Sequence, residues 1–314
     1  MLTLCLDIGG TKIAAALADP GGVLVYTATR PTPPDATAEQ VWSVVAAMIA
    51  DAVRAANAMP IAPIAAVGVA SAGPIHLHSG TVSPINIRSW RGFPLRDRVA
   101  AEVPGVPVRL GGDGVCMALG EHWLGAGRSD GRDARFLLGM VVSTGVGGGL
   151  VLDGVPYLGR TGNAGHVGHV VVDQDGRPCA CGGRGCVETV ASGPSMVRWA
   201  RESGWSAPPG AGARDLAAAA AGGDPVAARA FARGATALAA MIASVAAVCD
   251  LDLVVVGGGV AKSGRLLFDP LRTALADYAG LDFLADLRVV PAELGGEAGL
   301  VGAARLAGIS PPSA

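Results

Sequence analysis

The chain has 314 residues, enough for two domains with separate cores, and 51% of them are apolar. Its 24 basic and 26 acidic side chains nearly cancel, and no stretch gathers cations, which argues against a nucleic-acid surface. No charged-then-apolar leader precedes the first strand-like run, and the longest greasy stretches, such as "LAAMIASVAAVC", fall short of a bilayer, so a cytoplasmic protein with no membrane partner is expected.

In chain order, "LTLCLDI" is apolar enough for a buried strand, "GGT" is a turn, and "KIAAALAD" runs on extended. "PGG" then turns into a third strand, "VLVYTATR". "TAEQVWSVVAAMIADAVRAANA" predicts a helix capped by Thr37, with Val41, Val44, Val45, Met48 and Val53 on one face. "IAAVGVASAG" is a strand ending in small residues, and "FPLRDRVAAEV", "VPVRL" and "DGVCMALGEHWLGAG" read as helix, strand and helix. A second half opens with "RFLLGMVVSTGVGGGLVLDG", two strands joined by a glycine-rich turn. A histidine–cysteine segment follows, then helices "PSMVRWARES", "ARDLAAAAAG" and "DPVAARAFARGATALAAMIASVAAVC", with "SGWSAPPGAGA" as the only linker-like stretch. Strand "LDLVVVGGG", helix "GRLLFDPLRTALADYA", strand "LRVVPA" and helix "AGLVGAARLAG" complete the chain. Strands first and then alternation with helices imply an α/β protein of two lobes.

Three strands run into glycines: "DIGGTK", "STGVGGG" and "VVVGGGV". Glycine lets backbone N–H groups approach a ligand closely, and converging N–H groups make a nest for phosphate oxygens. One such exit is an ordinary turn; three together point to a nucleotide triphosphate held between two lobes. None is a P-loop or a dinucleotide fingerprint. Asp7 could hold Mg²⁺ through water, and Thr11 and Lys12 could reach phosphate. Lys12 and Lys262 are the only lysines in an arginine-rich chain, a composition bias that singles out Lys12.

Cys5, Cys116 and Cys249 stand alone in apolar surroundings and read as small buried hydrophobes. His169, Cys179, Cys181 and Cys186 instead form H-x9-C-x-C-x4-C within 166–186. Three thiolates and one imidazole close a tetrahedral Zn²⁺ shell with no open position, so the expected metal is structural zinc. Asp113 follows a short strand and opens a helix, a position that suits either an N-cap or a carboxylate offered to a ligand.

These motifs, in this order, resemble the ROK family of sugar kinases and sugar-responsive repressors over nearly the whole chain. The resemblance implies a two-lobed, actin-like (ribonuclease H-like) fold with a structural zinc loop, and with ATP and sugar meeting in the cleft. It implies a first lobe of residues 1–112 rejoined by a last helix at 298–312, and a second lobe of 113–297. It places Gly9, Gly10, Thr11 and Lys12 along the phosphates, Thr144 and Gly145 in a second phosphate loop, and Gly257, Gly258 and Gly259 by the adenosine. On the sugar side it implies Ser71, Gly73, Asn86, His166, His169 and Glu188, with Asp113 as the base that takes the hydroxyl proton. ATP, Mg²⁺ and zinc are the implied cofactors, and a homodimer the implied assembly.

Two positions depart from that pattern. Gly112 stands where the family usually has asparagine. His166, in "AGHVGH", stands where many ROK glucokinases have a glutamate; here the segment is closer to bacterial N-acetylmannosamine kinases. The expected activity is therefore ATP-dependent phosphorylation of an N-acylhexosamine, with glucose phosphorylation or idle sugar binding as alternatives. A regulator is disfavoured, because the family's repressors carry a helix-turn-helix before the first strand, and here that strand starts at Leu2.

Overall fold

A computed structural model describes residues 1–59, 63–131 and 133–309. The first three strands, β1 (Leu2–Ile8), β2 (Lys12–Ala18) and β3 (Leu24–Pro31), form an antiparallel meander. Helix α1 (Ala38–Ala58) follows, its start fixed by a capping box in which Thr37 and Gln40 bond each other's backbone. Strand β4 (Ile64–Ser71) joins β1 in parallel; a small hairpin, β5 (Ile75–His76) and β6 (Thr81–Val82), then leads to α2 (Leu95–Glu102) and the parallel strand β7 (Val108–Gly112). The sheet order is β3-β2-β1-β4-β7.

After α3 (Asp113–Leu124) the pattern repeats. Strands β8 (Phe136–Val142), β9 (Val146–Leu152) and β10 (Val155–Tyr157) are antiparallel. Helices α4 (Glu188–Ala191), α5 (Gly193–Glu202), α6 (Ala213–Ala221) and α7 (Pro225–Cys249) precede β11 (Leu253–Gly257), followed by α8 (Arg265–Tyr278), β12 (Arg288–Pro291) and α9 (Ala298–Ala307). Its order, β10-β9-β8-β11-β12, copies the first sheet. Two such sheets in one chain make the actin-like, ribonuclease H-like fold.

Period-two alternation decides what each sheet face meets. Leu4, Leu6 and Ile8 join Val45 and Met48 of α1 in an outer core. Cys5, Ala14, Ala16 and Ala70 face inward onto α9, and Leu137, Val151 and Val255 of the second sheet face α3 in the same central cluster. The small inward residues let helix backbones approach the sheet. A Cβ on Gly68 of β4 would lie 1.9 Å from the Ala303 carbonyl oxygen, and one on Gly302 of α9 would lie 1.6 Å from that of Cys116 in α3. Glu121, fully buried on α3, accepts hydrogen bonds from the backbone N–H groups of Ala126, Glu293 and Leu294, tying α3 to the segment before α9.

Three sequence expectations shift. The last helix closes at Ala307, and positions 310–312 of the expected span lie outside the described residues. The linker-like "SGWSAPPGAGA" stretch is a connection between two helices, α5 and α6. The greasy run "LAAMIASVAAVC" is part of the 25-residue α7, long and apolar enough to cross a bilayer, and 56% of its most apolar window is buried inside the protein. Cys5 and Cys116 are buried as expected, whereas Cys249 is half-buried.

Candidate active site

The glycine-rich exits lie at the ends of β1, β8 and β11. The second and third are side by side: the Val260 N–H donates to the Val142 carbonyl at 3.0 Å, and Gly258, at φ +94°, would drive a Cβ to 2.4 Å from the same oxygen. Only glycine fits there. The Gly193 N–H at the start of α5 donates to the Ser143 carbonyl at 2.8 Å, bringing that helix against the β8–β9 turn. These elements enclose a cavity of about 900 Å³ with Thr144 and Gly259 at one side, Val197 and Phe231 in its apolar wall, and Arg214 and Lys262 on its rim. Such a shape, apolar wall plus cationic edge, fits a nucleotide. Gly257 is buried at the strand end, packed on Met117 and Ala292, and does not line the cavity.

The first exit, at the end of β1, meets the segment that leads into α9. Asp7 shares the inward face of β1 with Cys5, which aims its carboxylate at the N-terminal turn of α9. A Cβ on Gly299 would come 2.6 Å from Asp7 Oδ2. Lys12 Nζ donates to the Gly296 carbonyl at 3.5 Å in the segment leading into that helix, and Thr11 is exposed in the turn. Gly9 lies in the same turn, its N–H donating to the Lys12 carbonyl at 3.0 Å. Gly10 abuts Asn86, with a Cβ position 2.5 Å from Asn86 Cγ.

Asp113 is the first residue of α3, its Oδ1 accepting the Gly114 N–H at 2.8 Å, with Gly112 as the N-cap residue. The side chain opens onto the cleft, yet so much protein surrounds it that burial raises its pKa, against the lowering effects of the Gly114 N–H and of His166. A carboxylate so tuned binds a proton more readily than an ordinary aspartate, as a general base must. At Gly112 an added Cβ meets nothing within 4 Å, so a side chain would fit and the glycine is not sterically required.

Asp7 is pushed up to about 6, first by burial and then by the Asp113 charge, with Lys12 opposing. Because its folded pKa lies above the unfolded 3.8, the native state binds the extra proton between those values, and stability falls as pH rises through that window. Replacing Asp7 with Asn is therefore expected to leave stability near wild type at pH 4 and to raise it above pH 6, by roughly 2 to 3 kcal/mol. Thermal melts of both proteins from pH 4 to 8 check this; a constant difference across the range refutes the burial of Asp7.

On the opposite wall, His166 is exposed beside the loop after β4, its Nε2 3.3 Å from a Cβ position on Gly73. Ser71 lies below the surface, its hydroxyl donating to the Ala72 carbonyl at 3.1 Å and offering nothing to the cleft. Glu188 Oε2 accepts the Val146 N–H at 2.8 Å and sits against Gly145, which ties the segment after the last cysteine to the β8–β9 turn.

The ligand atoms of His169, Cys179, Cys181 and Cys186 all lie within 4.8 Å of one another. Sγ of Cys181 and Cys186 are 3.7 Å apart, and Cys179 Sγ is 3.8 Å from His169 Nδ1. Zn–S bonds of about 2.3 Å set tetrahedral edges of roughly 3.8 Å, so the four groups fit zinc. Burial and the neighbouring Cys179 and Cys181 sulfurs push the Cys186 thiol up to about 12. Three sulfurs this close ionise together only around a cation. With Nδ1 turned to the sulfurs, His169 Nε2 is left for another partner.

Several residues that line or hold the site were not anticipated from sequence: Arg214 and Lys262 at the cavity rim, Gly299 under Asp7, Glu121, and Asn163, which bonds both backbone groups of Ile75. The pairing of lysine scarcity with position was the one available signal, since both lysines border the cleft.

The ROK family model matches residues 3–309. A glucokinase of Streptomyces coelicolor is 34% identical over 321 residues, covering 98% of this chain and 97% of that protein. An N-acetylmannosamine kinase of Citrobacter koseri is 36% identical over 311 residues, covering 98% and 99%. The crystal structure of a ROK family glucokinase from Streptomyces griseus in complex with glucose and AMPPNP has a TM-score of 0.81 at 35% identity, covering 98% of this chain and 99% of that one.

Proposed function

The chain belongs to the ROK family and is a sugar kinase, and we propose that it transfers the γ-phosphoryl group of ATP to a hydroxyl of an N-acylhexosamine, N-acetylmannosamine foremost. What supports this reading is Asp113, an exposed carboxylate at the start of α3 whose pKa is raised and which is close enough to His166 and Asp7 for their charges to act on one another. The sugar would lie between Asn86, the Gly73 loop, His166, His169 and Glu188, with its hydroxyl toward Asp113. As the hydroxyl oxygen attacks the γ-phosphorus, Asp113 takes its proton and ADP departs.

The remaining groups hold the donor. Thr144, Gly145, Gly258 and Gly259 offer backbone and hydroxyl contacts along the nucleotide, and Gly9, Gly10, Thr11 and Lys12 meet the phosphates from the other lobe. Asp7 would carry Mg²⁺, which supplies charge neutralisation on the phosphates when bound. The zinc set His169, Cys179, Cys181 and Cys186 fixes the sugar wall without taking part in the transfer.

His166 favours the N-acylhexosamine over glucose. Imidazole accepts one hydrogen bond where a glutamate accepts two from vicinal hydroxyls. A coupled ADP-release assay with glucose, mannose, N-acetylglucosamine and N-acetylmannosamine is expected to rank the last first. In the same assay His166→Glu should move the kcat/KM ratio toward glucose by about tenfold. Equal rates on all four sugars would refute the assignment of specificity to this wall, and no turnover on any would refute the kinase reading.

A further inference from the structure

Residues 158–166, "LGRTGNAGH", run from β10 to the zinc-ligand turn and are fastened on two sides. Toward their own lobe, Gly165 lies on β9, where a Cβ would come 2.7 Å from the Gly149 Cα. Toward the other lobe, the Asn163 side chain reaches β5: its Nδ2 donates to the Ile75 carbonyl at 2.7 Å and its Oδ1 accepts the Ile75 N–H at 2.9 Å. The same Nδ2 donates to Thr161 Oγ1 at 3.1 Å, and the Leu77 N–H donates to the Thr161 carbonyl at 3.4 Å. One amide pairing with both backbone groups of one residue imitates a rung of a β-ladder, here between lobes.

The backbone of Asn163 acts on His166. Its carbonyl lies 2.9 Å from His166 Nδ1. A carbonyl oxygen only accepts, so Nδ1 carries the proton that meets it, and in the uncharged imidazole the acceptor nitrogen is Nε2, on the side next to Gly73. The residue that joins the lobes thus also settles which nitrogen of His166 faces the cleft, and as what.

We propose that Asn163 is a positioning residue for the acceptor sugar: its amide staples the sugar wall to β5 of the opposite lobe, and its carbonyl commits His166 to offering an acceptor nitrogen. His166 then selects a substituent that donates, an amide N–H or a hydroxyl. This deepens the sugar-kinase reading and rests on it.

The test uses Asn163→Ala and the near-isosteric Asn163→Asp, which keeps the bond to the Ile75 N–H and loses the one to its carbonyl. Kinetic constants for N-acetylmannosamine, glucose and ATP are paired with ¹⁵N spectra of the histidine rings, with His166→Gln marking the His166 signals among five histidines. In Asn163→Ala the sugar KM should rise about tenfold, with kcat and the ATP KM changing less than about threefold. The His166 signals should shift from a single Nδ1–H tautomer toward a mixture. In a His166→Gln background the same substitution should alter the sugar KM by less than about twofold. The aspartate variant should fall between, and it alone decides the matter if the alanine variant does not fold. Unchanged sugar KM and unchanged His166 signals overturn the proposal, as do equal rises in the sugar and ATP constants or full additivity with His166→Gln. Should the wild-type protein phosphorylate no sugar, the kinase reading fails by itself. The proposal is then judged by calorimetric affinity for N-acetylmannosamine and by the His166 signals.

Discussion

Replacing Asp113 with Asn is expected to lower kcat by about 10²- to 10⁴-fold while leaving the ATP KM and the melting behaviour close to wild type. The side chain keeps its shape and still has an oxygen to accept the Gly114 N–H. It loses only the capacity to take a proton. The substitution also removes the charge that helps to raise Asp7, so the Asp7 pKa should drop below about 6. In the wild-type protein the raised carboxylates place the acid limb of the kcat/KM profile above the range of ordinary aspartates. Activity is therefore lost as pH falls through that higher window and is complete above it. Steady-state kinetics against pH measure both effects. A variant that keeps kcat within a few-fold would exclude Asp113 from proton transfer.

The second large effect is expected at the metal. Cys186→Ser replaces a buried ligand two residues before Glu188, in the segment where the Val187 N–H bonds the Val170 carbonyl at 2.9 Å. Without the proposed ion the 166–186 loop would be freed, His169 unlocked, and Glu188 loosened from the β8–β9 turn that it holds through the Val146 N–H. Loss of a structural metal belongs among the substitutions that cost more than about 4 kcal/mol. Elemental analysis should find about one zinc per wild-type chain and almost none in the variant. The sugar KM should rise at least about tenfold, because the wall that carries His169 and Glu188 is disordered. A variant that retains zinc, or loses it with sugar binding intact, would refute a metal-built sugar wall.

Local signals carried most of the fold. The Thr37 cap, the helical spacing of Val41, Val45 and Met48 (with Val44 and Val53 of the expected face only partly buried), and the glycines ending β1 and β11 are each written in a few adjacent residues, and each element stands where its pattern puts it. The H-x9-C-x-C-x4-C spacing likewise gathers four ligand atoms because the loop between them is short. What stayed hidden depends on distant partners. Asn163 and Ile75 are 88 residues apart, and Glu121 meets Leu294 across 173. An asparagine in a glycine-rich turn and a glutamate near a helix end look ordinary until the chain is folded around them. The two-residue strands of the β5–β6 hairpin and the four-residue α4 are too short for any periodicity to declare. Ser71 shows the reverse case: the small-residue strand end was legible, but the pleat turns this hydroxyl into the protein.

Where α3 crosses α9, main chain touches main chain at Gly302 and Cys116, and α9 meets its sheet in the same way at Gly68. Most helix interfaces mesh like gear teeth, and turning one partner means lifting side chains out of sockets. This one is closer to a plain bearing. Its spacing is set by two backbones in contact, so any side chain larger than hydrogen at Gly302 or Gly68 would wedge the halves apart along their whole seam.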